Sequence, residues 1–160
     1  MNSKFKLLLI VTAFLVAGVG GSRNAYAAPQ ATGCSMLTPA QIQKVLGQPF
    51  GAPTQTKASP AYKGQSWGSS CEYRSTRANM RVDFLVYVDR SPSEAKQTFE
   101  KLSTWSSLSS HISKVSVGDE ASIVGHAIHV LKGNVRYAVS ISTERDKQVM
   151  DLAVAIAKTI

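Results

Sequence analysis

Residues 118–142 read GDEASIVGHAIHVLKGNVRYAVSIS, and the periodicity of this stretch decides the predicted fold. Ile128 and Val130 alternate with their neighbours, and Tyr137, Val139 and Ile141 do the same further on. Gly133-Asn134 separates the two runs, and glycine adopts a positive φ at no steric cost. Two runs of period two across such a pair predict a β-hairpin. The hairpin needs other elements to bury its apolar face, so a small α+β domain is predicted around it.

Three more strands are predicted outside the hairpin. From Met80 to Asp89, Met, Val, Phe, Val and Val occupy alternate positions, with Arg, Asp, Leu, Tyr and Asp between them. This alternation is typical of a strand with one apolar face. Shorter strands are predicted at about Ser70–Ser75, where Cys71 and Tyr73 share a face, and at Ala121–Val124. The expected total is therefore about five strands.

Three helices complete the predicted domain. Thr38-Pro39-Ala40-Gln41 and Ser91-Pro92-Ser93-Glu94 both combine a capping hydroxyl, a proline at the first helical position and an N3 side chain that can reach back. A third helix is expected from about Asp146 to Ile160, because its apolar residues recur at helical spacing. The predicted order is α-β-β-α-β-β-β-α, in which a single antiparallel sheet of about five strands has helices packed against it.

The N-terminal segment has the layout of a secretory signal peptide. Lys4 and Lys6 precede a short apolar run at 7–20, and Ala25-Tyr26-Ala27 fits a cleavage site. The run is too short for a membrane anchor. We therefore expect residues 1–27 to be removed and 28–160 to form a single secreted domain, periplasmic or extracellular, with no integral membrane span after cleavage.

The charge of the mature chain gives little indication of a partner. Loss of Lys4, Lys6 and Arg23 lowers the formal net charge from +8 to +5. The remaining basic residues are scattered, which is typical of a solvated surface, and no nucleic-acid-binding motif is present. Weak affinity for anionic envelope polymers or lipid headgroups stays an alternative.

Cys34 and Cys71 are the chain's two cysteines. In an oxidising compartment an even pair in a small domain usually forms a disulfide, so a Cys34–Cys71 bridge is predicted. Lipid anchoring at Cys34 is disfavoured, because a lipobox cysteine directly follows the apolar run and Cys34 does not.

Two short matches to catalytic motifs lack the context that their chemistry needs. Gly64-Gln65-Ser66-Trp67-Gly68 matches G-x-S-x-G, but a nucleophile elbow requires a strand before it and a helix after it. Ser93 and Lys96 match S-x-x-K, but the capping box already explains Ser93-Glu94, and no companion motif follows. A small envelope hydrolase that uses Ser66 or a histidine therefore remains only the alternative function.

Neither a metal nor a cofactor is predicted. His126 and His129 could share a metal on a helix, but on a strand this spacing places them on opposite faces. No phosphate-binding or dinucleotide-binding motif and no Cys/His metal spacing is present.

Several short motifs resemble those of a broad group of small secreted bacterial domains. They are Cys34, Leu37-Thr38, Leu46-Gly47, Cys71-Glu72-Tyr73, Gly118-Asp119-Glu120-Ala121 and Lys132-Gly133-Asn134. The group includes envelope lipoproteins of unassigned function and is similar to extracellular sensor domains of some bacterial serine/threonine kinases. The resemblance implies an exported α+β domain without a catalytic set, and it transfers no ligand.

The preferred function is a non-catalytic exported binding or interaction module of the bacterial envelope, with an unknown ligand or protein partner. Two long loops are predicted, at about Gly51–Ser70 and Ser103–Gly118, and each carries a tryptophan. Binding groups concentrate on loops that a rigid scaffold holds. We expect Trp105 to pack against the core edge and Trp67, among Gly, Ser and Gln, to be partly exposed as a binding-loop residue.

Overall fold

The structure, a computed structural model, describes residues 33–59, 68–105, 113–143 and 149–160. The signal peptide predicted at residues 1–27 lies outside these ranges. The described elements are a 3₁₀ turn at Gly33–Ser35, helices α1 Pro39–Leu46, α2 Pro92–Trp105 and α3 Val149–Ala157, and strands β1 Thr54–Ala58, β2 Gly68–Arg74, β3 Met80–Val88, β4 Ser113–Lys114, β5 Glu120–Val124, β6 Ala127–Lys132 and β7 Val135–Thr143.

The strand count is higher than predicted. Six strands of five residues or more, plus the two-residue β4, form one sheet, so the expectation of about five strands is wrong. The extra strand β1 lies within the stretch predicted to be a long loop. Its sequence, TQTKA, is exposed at four of five positions. An edge strand held through backbone pairing with β2 has no apolar period, and periodicity could not reveal it.

Local sequence signals do place the helix starts. The Thr38 hydroxyl accepts a hydrogen bond from the Gln41 backbone N–H, while the Gln41 side chain accepts one from the Thr38 N–H, which completes the predicted capping box. Gly47 ends α1 at φ 69°, in the left-handed region that glycine tolerates. At α2, Glu94 N–H donates to the Ser91 hydroxyl, and the Glu94 carboxylate reaches back to Arg90 N–H.

All strand pairs are antiparallel, in the order β1-β2-β3-β7-β6-β5-β4. Strands β1 to β3 form one meander and β4 to β7 another, and the two join at the pairing of β3 with β7. The predicted hairpin is β6–β7, with Gly133 in its turn at φ 59°. The joining pair lies at the centre of the sheet and sets where side chains from both halves of the chain meet.

One side of the sheet, here called the core face, packs against α1, α3 and the 3₁₀ turn. Its fully buried side chains include Tyr73, Phe84 and Val139. The Tyr73 hydroxyl donates to the backbone carbonyl of Leu37, and the Tyr137 hydroxyl donates to that of Ala157 at 3.1 Å. Burial raises the pKa of both tyrosines to about 12.

A disulfide fastens the 3₁₀ turn to the core face. The structure has Cys34 bonded to Cys71 of β2, with their Cα atoms 5.5 Å apart. The same turn is packed so closely that a Cβ on Gly33 would come within 2.2 Å of the Val86 side chain. The bridge and the glycine together hold the start of the domain against β2 and β3.

The opposite side, here called the α2 face, is covered in part by helix α2. Ala95 and Phe99 of the helix bury against Leu131 of β6. The sheet therefore has helices on both sides, whereas the alternation of apolar residues predicted strands with one apolar face. Leu131 in the second phase of β6 and Leu85 in that of β3 supply the apolar contacts of this second face.

Candidate functional site

A cleft opens on the α2 face between helix α2 and the sheet, and we call it the α2 cleft. Its floor is formed by Leu85 of β3, Ala138 of β7 and His129 of β6, and Phe99 and Leu102 of α2 form its wall. These three floor residues share one row across the sheet, because Leu85 pairs with Ala138 and Ala138 with His129. The cavity measures about 80 Å³. The small side chain of Ala138 at the centre of the row leaves this space open.

An ion pair is buried at one end of the α2 cleft. Arg136 Nε lies 2.5 Å from Asp89 Oδ2, and the second guanidinium nitrogen lies 3.1 Å from Oδ1. The two side chains are only 3% and 0% exposed. Removing two charges from water is costly and is offset only by good geometry, which this two-point contact supplies. The pair contributes no net charge to the cleft.

Neighbouring groups hold this pair in place. The Arg136 guanidinium carbon lies 5.0 Å from the centre of the Tyr87 ring, a cation–π arrangement. The Asn134 side-chain amide donates to the Asp89 carbonyl at 3.0 Å, and Asp89 N–H donates to the Asn134 carbonyl at 2.9 Å. Burial raises the pKa of Tyr87, and the nearby Arg136 charge opposes that shift. The β6–β7 turn and the end of β3 thus fix the position of the pair.

Two more polar side chains lie in the same part of the α2 face. His129 is half-buried, and burial together with the Arg136 charge lowers the pKa of its imidazole, so it is neutral at pH 7. Ser122 of β5, opposite His129 in the register, is 9% exposed. Within the described ranges no residue forms a hydrogen bond with either side chain. His129 therefore offers hydrogen-bonding capacity in the cleft itself, whereas Ser122 lies on the neighbouring strand and is not one of the residues that line the cleft.

A larger cavity lies elsewhere and is a weaker candidate. It is an open depression of about 470 Å³ at the β2–β3 turn, lined by Arg74 and Arg81 among others. These arginines pair with acidic side chains of their own strands: Arg74 with Glu72 at 2.7 Å, and Arg81 with Asp83 at 2.9 Å. Since the groups are exposed and already compensated, the depression lacks the enclosure and the buried polar groups that small-ligand sites combine.

Several residues singled out from the sequence lie outside the described ranges. Ser66 and Trp67 are in the segment 60–67, so the hydrolase motif and the binding-loop residue stay untested predictions. Helix α2 extends to Trp105, further into the predicted second loop than expected, but the side chain of Trp105 is not described. Ser93 is exposed on α2, and Lys96 forms an ion pair with Glu120 at 3.5 Å.

The structure separates the two histidines that were weighed as a metal site. His126 is exposed in the β5–β6 turn, whereas His129 faces the α2 cleft from β6. Among the described residues no group of three His, Cys, Asp or Glu side chains could hold a metal ion. No described carboxylate accepts a hydrogen bond from His129, so the described residues do not form a Ser-His-acid triad around Ser122.

Comparison with known proteins yields a similarity of fold. No family model matches the chain, and no curated protein matches it. The solved extracellular domain of PknH from Mycobacterium tuberculosis is similar, with a TM-score of 0.53 and 11% sequence identity, over 77% of this chain and 91% of that chain. The resemblance to extracellular sensor domains of bacterial serine/threonine kinases is thus confirmed at the level of the fold. Within the described ranges, no helix has the length and apolar character required to cross a bilayer.

Sequence reasoning missed Asp89, Arg136 and Ser122. Each occupies the outward phase of a strand, where a polar residue is usually solvated. The sequence signal that could have found them is the presence of apolar residues at the same alternate positions: Leu85 and Tyr87 share that phase in β3, and Leu131 shares it in β6. Apolar side chains in the outward phase of two strands of the same sheet indicate a second buried face, and a charge among them should have a partner.

Proposed function

We propose that the chain is a non-catalytic, exported binding module of the bacterial envelope, and that its ligand binds in the α2 cleft. The main supporting observation is the apolar floor formed by Leu85 and Ala138 beside His129, whose imidazole has no hydrogen-bond partner among the described residues. Small-molecule sites combine an apolar lining with a few convergent polar groups. The α2 cleft has this composition on a small scale.

Export is supported by sequence and structure together. The predicted signal peptide at residues 1–27 and the disulfide between Cys34 and Cys71 both fit an oxidising compartment. We therefore assign the mature domain to the periplasm or the exterior, beginning at Ala28 or Pro29. Intact-mass measurement of protein isolated from the periplasm and the medium tests both the start and the bridge. Protein that retains residues 1–27, or carries two free thiols, contradicts this assignment.

A pair of alanine substitutions tests the site. Ala138→Leu places a larger side chain on the cleft floor. Ala127→Leu makes the same change in β6, on the same face of the sheet but outside the set of residues that line the cleft. We expect neutral fragments of five to eight non-hydrogen atoms to shift the amide signals of Leu85, His129 and Ala138 in NMR spectra of the wild type and of Ala127→Leu. We expect no such shifts in Ala138→Leu. Fragment shifts that survive in Ala138→Leu overturn the site.

The alternative, a small envelope hydrolase, rests on Ser66, with Ser122 beside His129 as a second serine to examine. A fluorophosphonate probe labels activated serines, and we expect neither residue to react. Labelling that disappears in Ser66→Ala or in Ser122→Ala would establish the hydrolase instead.

Trp67 remains a proposed contact, in the stretch predicted from the sequence to be a long loop. Acrylamide quenching of a variant in which Trp105 is replaced by Phe reports on Trp67 alone. We expect strong quenching, weakened by added envelope polymer; a shielded Trp67 that no added polymer affects removes the loop from the proposal.

A further inference from the structure

The charges around the α2 cleft cancel. Arg136 is the buried cation at its end, and the Asp89 carboxylate contacts it at two points. A ligand carboxylate or phosphate would therefore meet a guanidinium that is already neutralised, and would have to compete with a carboxylate held in place by the fold. A ligand cation would meet no carboxylate among the residues that line the cleft, and it would lie near the Arg136 guanidinium. An isolated charge gains little at this site and loses its hydration.

The neutral polar group of the cleft offers a different kind of recognition. His129 presents a neutral imidazole, which can donate one hydrogen bond and accept another. The imidazole pairs well with an alcohol, a carbonyl or an amide, and it leaves the apolar floor to the hydrocarbon part of a ligand.

The dimensions of the cleft limit the apolar part. A volume of about 80 Å³ accommodates a short branched chain end or the edge of a ring, and not a whole lipid tail. Leu85 and Ala138 contact the group from below, and Phe99 and Leu102 flank it from α2. Because apolar cavities in proteins stay dry and take up small apolar molecules, such a group is held by burial alone.

We propose that the α2 cleft selects an uncharged ligand, which inserts a short branched or cyclic hydrocarbon group between α2 and the sheet and hydrogen-bonds through a hydroxyl, carbonyl or amide to His129. This assignment rests on the proposed function, since it names the chemical class of the ligand for the same site. The buried Asp89–Arg136 pair is the specificity element, because it cancels the charge that would otherwise attract anions.

Three probes that share an isobutyl group test the selectivity: isoamyl alcohol, isovalerate and isoamylamine at pH 7. We follow their titration through the amide signals of Leu85, His129 and Ala138 in the wild type. Isoamyl alcohol should bind about tenfold or more tightly than either charged probe, since the charged probes must be desolvated without a free counter-charge. If no probe shifts these signals, the proposed site itself fails. If isovalerate or isoamylamine binds as well as the alcohol, the site stands and its selectivity for neutral ligands fails.

A charge substitution provides an independent measurement. Asp89→Asn keeps the shape of the side chain and leaves Arg136 uncompensated, so isovalerate should now bind more tightly than isoamyl alcohol and should raise the Tm of the variant. Asp83→Asn is the matched control, because Asp83 lies in β3, which Asp89 directly follows, and pairs with the exposed Arg81. It should retain the wild-type preference. An Asp89→Asn protein that folds and still prefers the alcohol overturns the role of the pair, and if that variant does not fold, the wild-type series decides.

Discussion

The two sides of the sheet are built differently. On the core face, eighteen buried described residues form one cluster with α1, α3 and the 3₁₀ turn, and a disulfide fastens its edge. On the α2 face, the corresponding cluster has three members, Ala95, Phe99 and Leu131, beside a buried ion pair and an open cavity. Stability on the first face comes from burial of apolar area. The second face buries less and keeps polar groups available.

This contrast separates the part of the domain that maintains the fold from the part that can respond to a ligand. Elements with few buried apolar contacts open locally at lower free energy than the core does. Helix α2 is such an element, since among its described side chains Ala95 and Phe99 alone join a buried cluster with the sheet. We therefore expect changes on the core face to act on global unfolding, and changes on the α2 face to act mainly on the α2 cleft.

Two phenylalanine truncations give the largest expected difference. Phe84 is fully buried on the core face, with its ring centre 5.8 Å from that of Tyr137. Phe84→Ala should lower the free energy of unfolding by about 3–5 kcal/mol, as is usual for a buried phenylalanine. Phe99→Ala should cost clearly less, because α2 can settle toward the sheet and refill part of the space. Urea denaturation measures both values, and equal losses would contradict the distinction between the faces.

Removal of the disulfide should have the next largest effect. Cys34 and Cys71 are 37 positions apart, and opening a loop of this length costs about 3–4 kcal/mol in the chain-entropy model. We expect this loss in a Cys34→Ala/Cys71→Ala double variant and in reduced wild type. Because the bridge lies on the core face, the affinity of the folded variant for isoamyl alcohol should not change. A weaker affinity at a temperature where the variant is fully folded would show that the faces are coupled.

The smallest expected effect is a pH dependence that arises at His129. Its pKa in the folded protein lies below the ordinary value of 6.5, so on acidification the unfolded chain takes up a proton before the native protein does. The stability contributed by the neutral imidazole is complete above pH 6.5 and is lost as the pH falls toward the lowered pKa. Between pH 7 and about pH 5.5, His129→Gln should therefore lose less stability than wild type.

His126→Gln is the control for that measurement. His126 is exposed in the β5–β6 turn, so its replacement should leave the wild-type dependence on pH in place. Denaturant titrations at several pH values compare the three proteins. If His129→Gln retains the full wild-type slope, then the imidazole on the cleft floor is not the titrating group.

The sequence predicts those parts of the fold that depend on neighbouring residues. The capping box at Thr38, the Ser91 cap of α2 and the turn at Gly133 each involve residues at most four positions apart, so these residues suffice to locate two helices and the hairpin. Strand β1 was missed because backbone pairing to β2 holds it and its side chains face solvent.

The candidate site was less accessible to prediction, because it depends on which strands are neighbours. Asp89 and Arg136 are 47 positions apart and meet only because β7 pairs with β3. Ala138 becomes a cavity floor only once Leu85 and His129 lie on either side of it. The period of a strand shows which residues share a face, but not which distant residues stand next to them.

The Asp89–Arg136 pair also distinguishes the correct alignment of the two meanders from its nearest competitors. A slip of two residues between β3 and β7 would keep every apolar side chain on its proper side, and so would cost little by hydrophobic pattern alone. It would, however, move Asp89 along the strand by about 6.6 Å relative to Arg136. Both charges would then be buried without a partner, which is strongly unfavourable. The buried ion pair between the two halves of the chain therefore favours the native register of β3 and β7 over a register shifted by two residues.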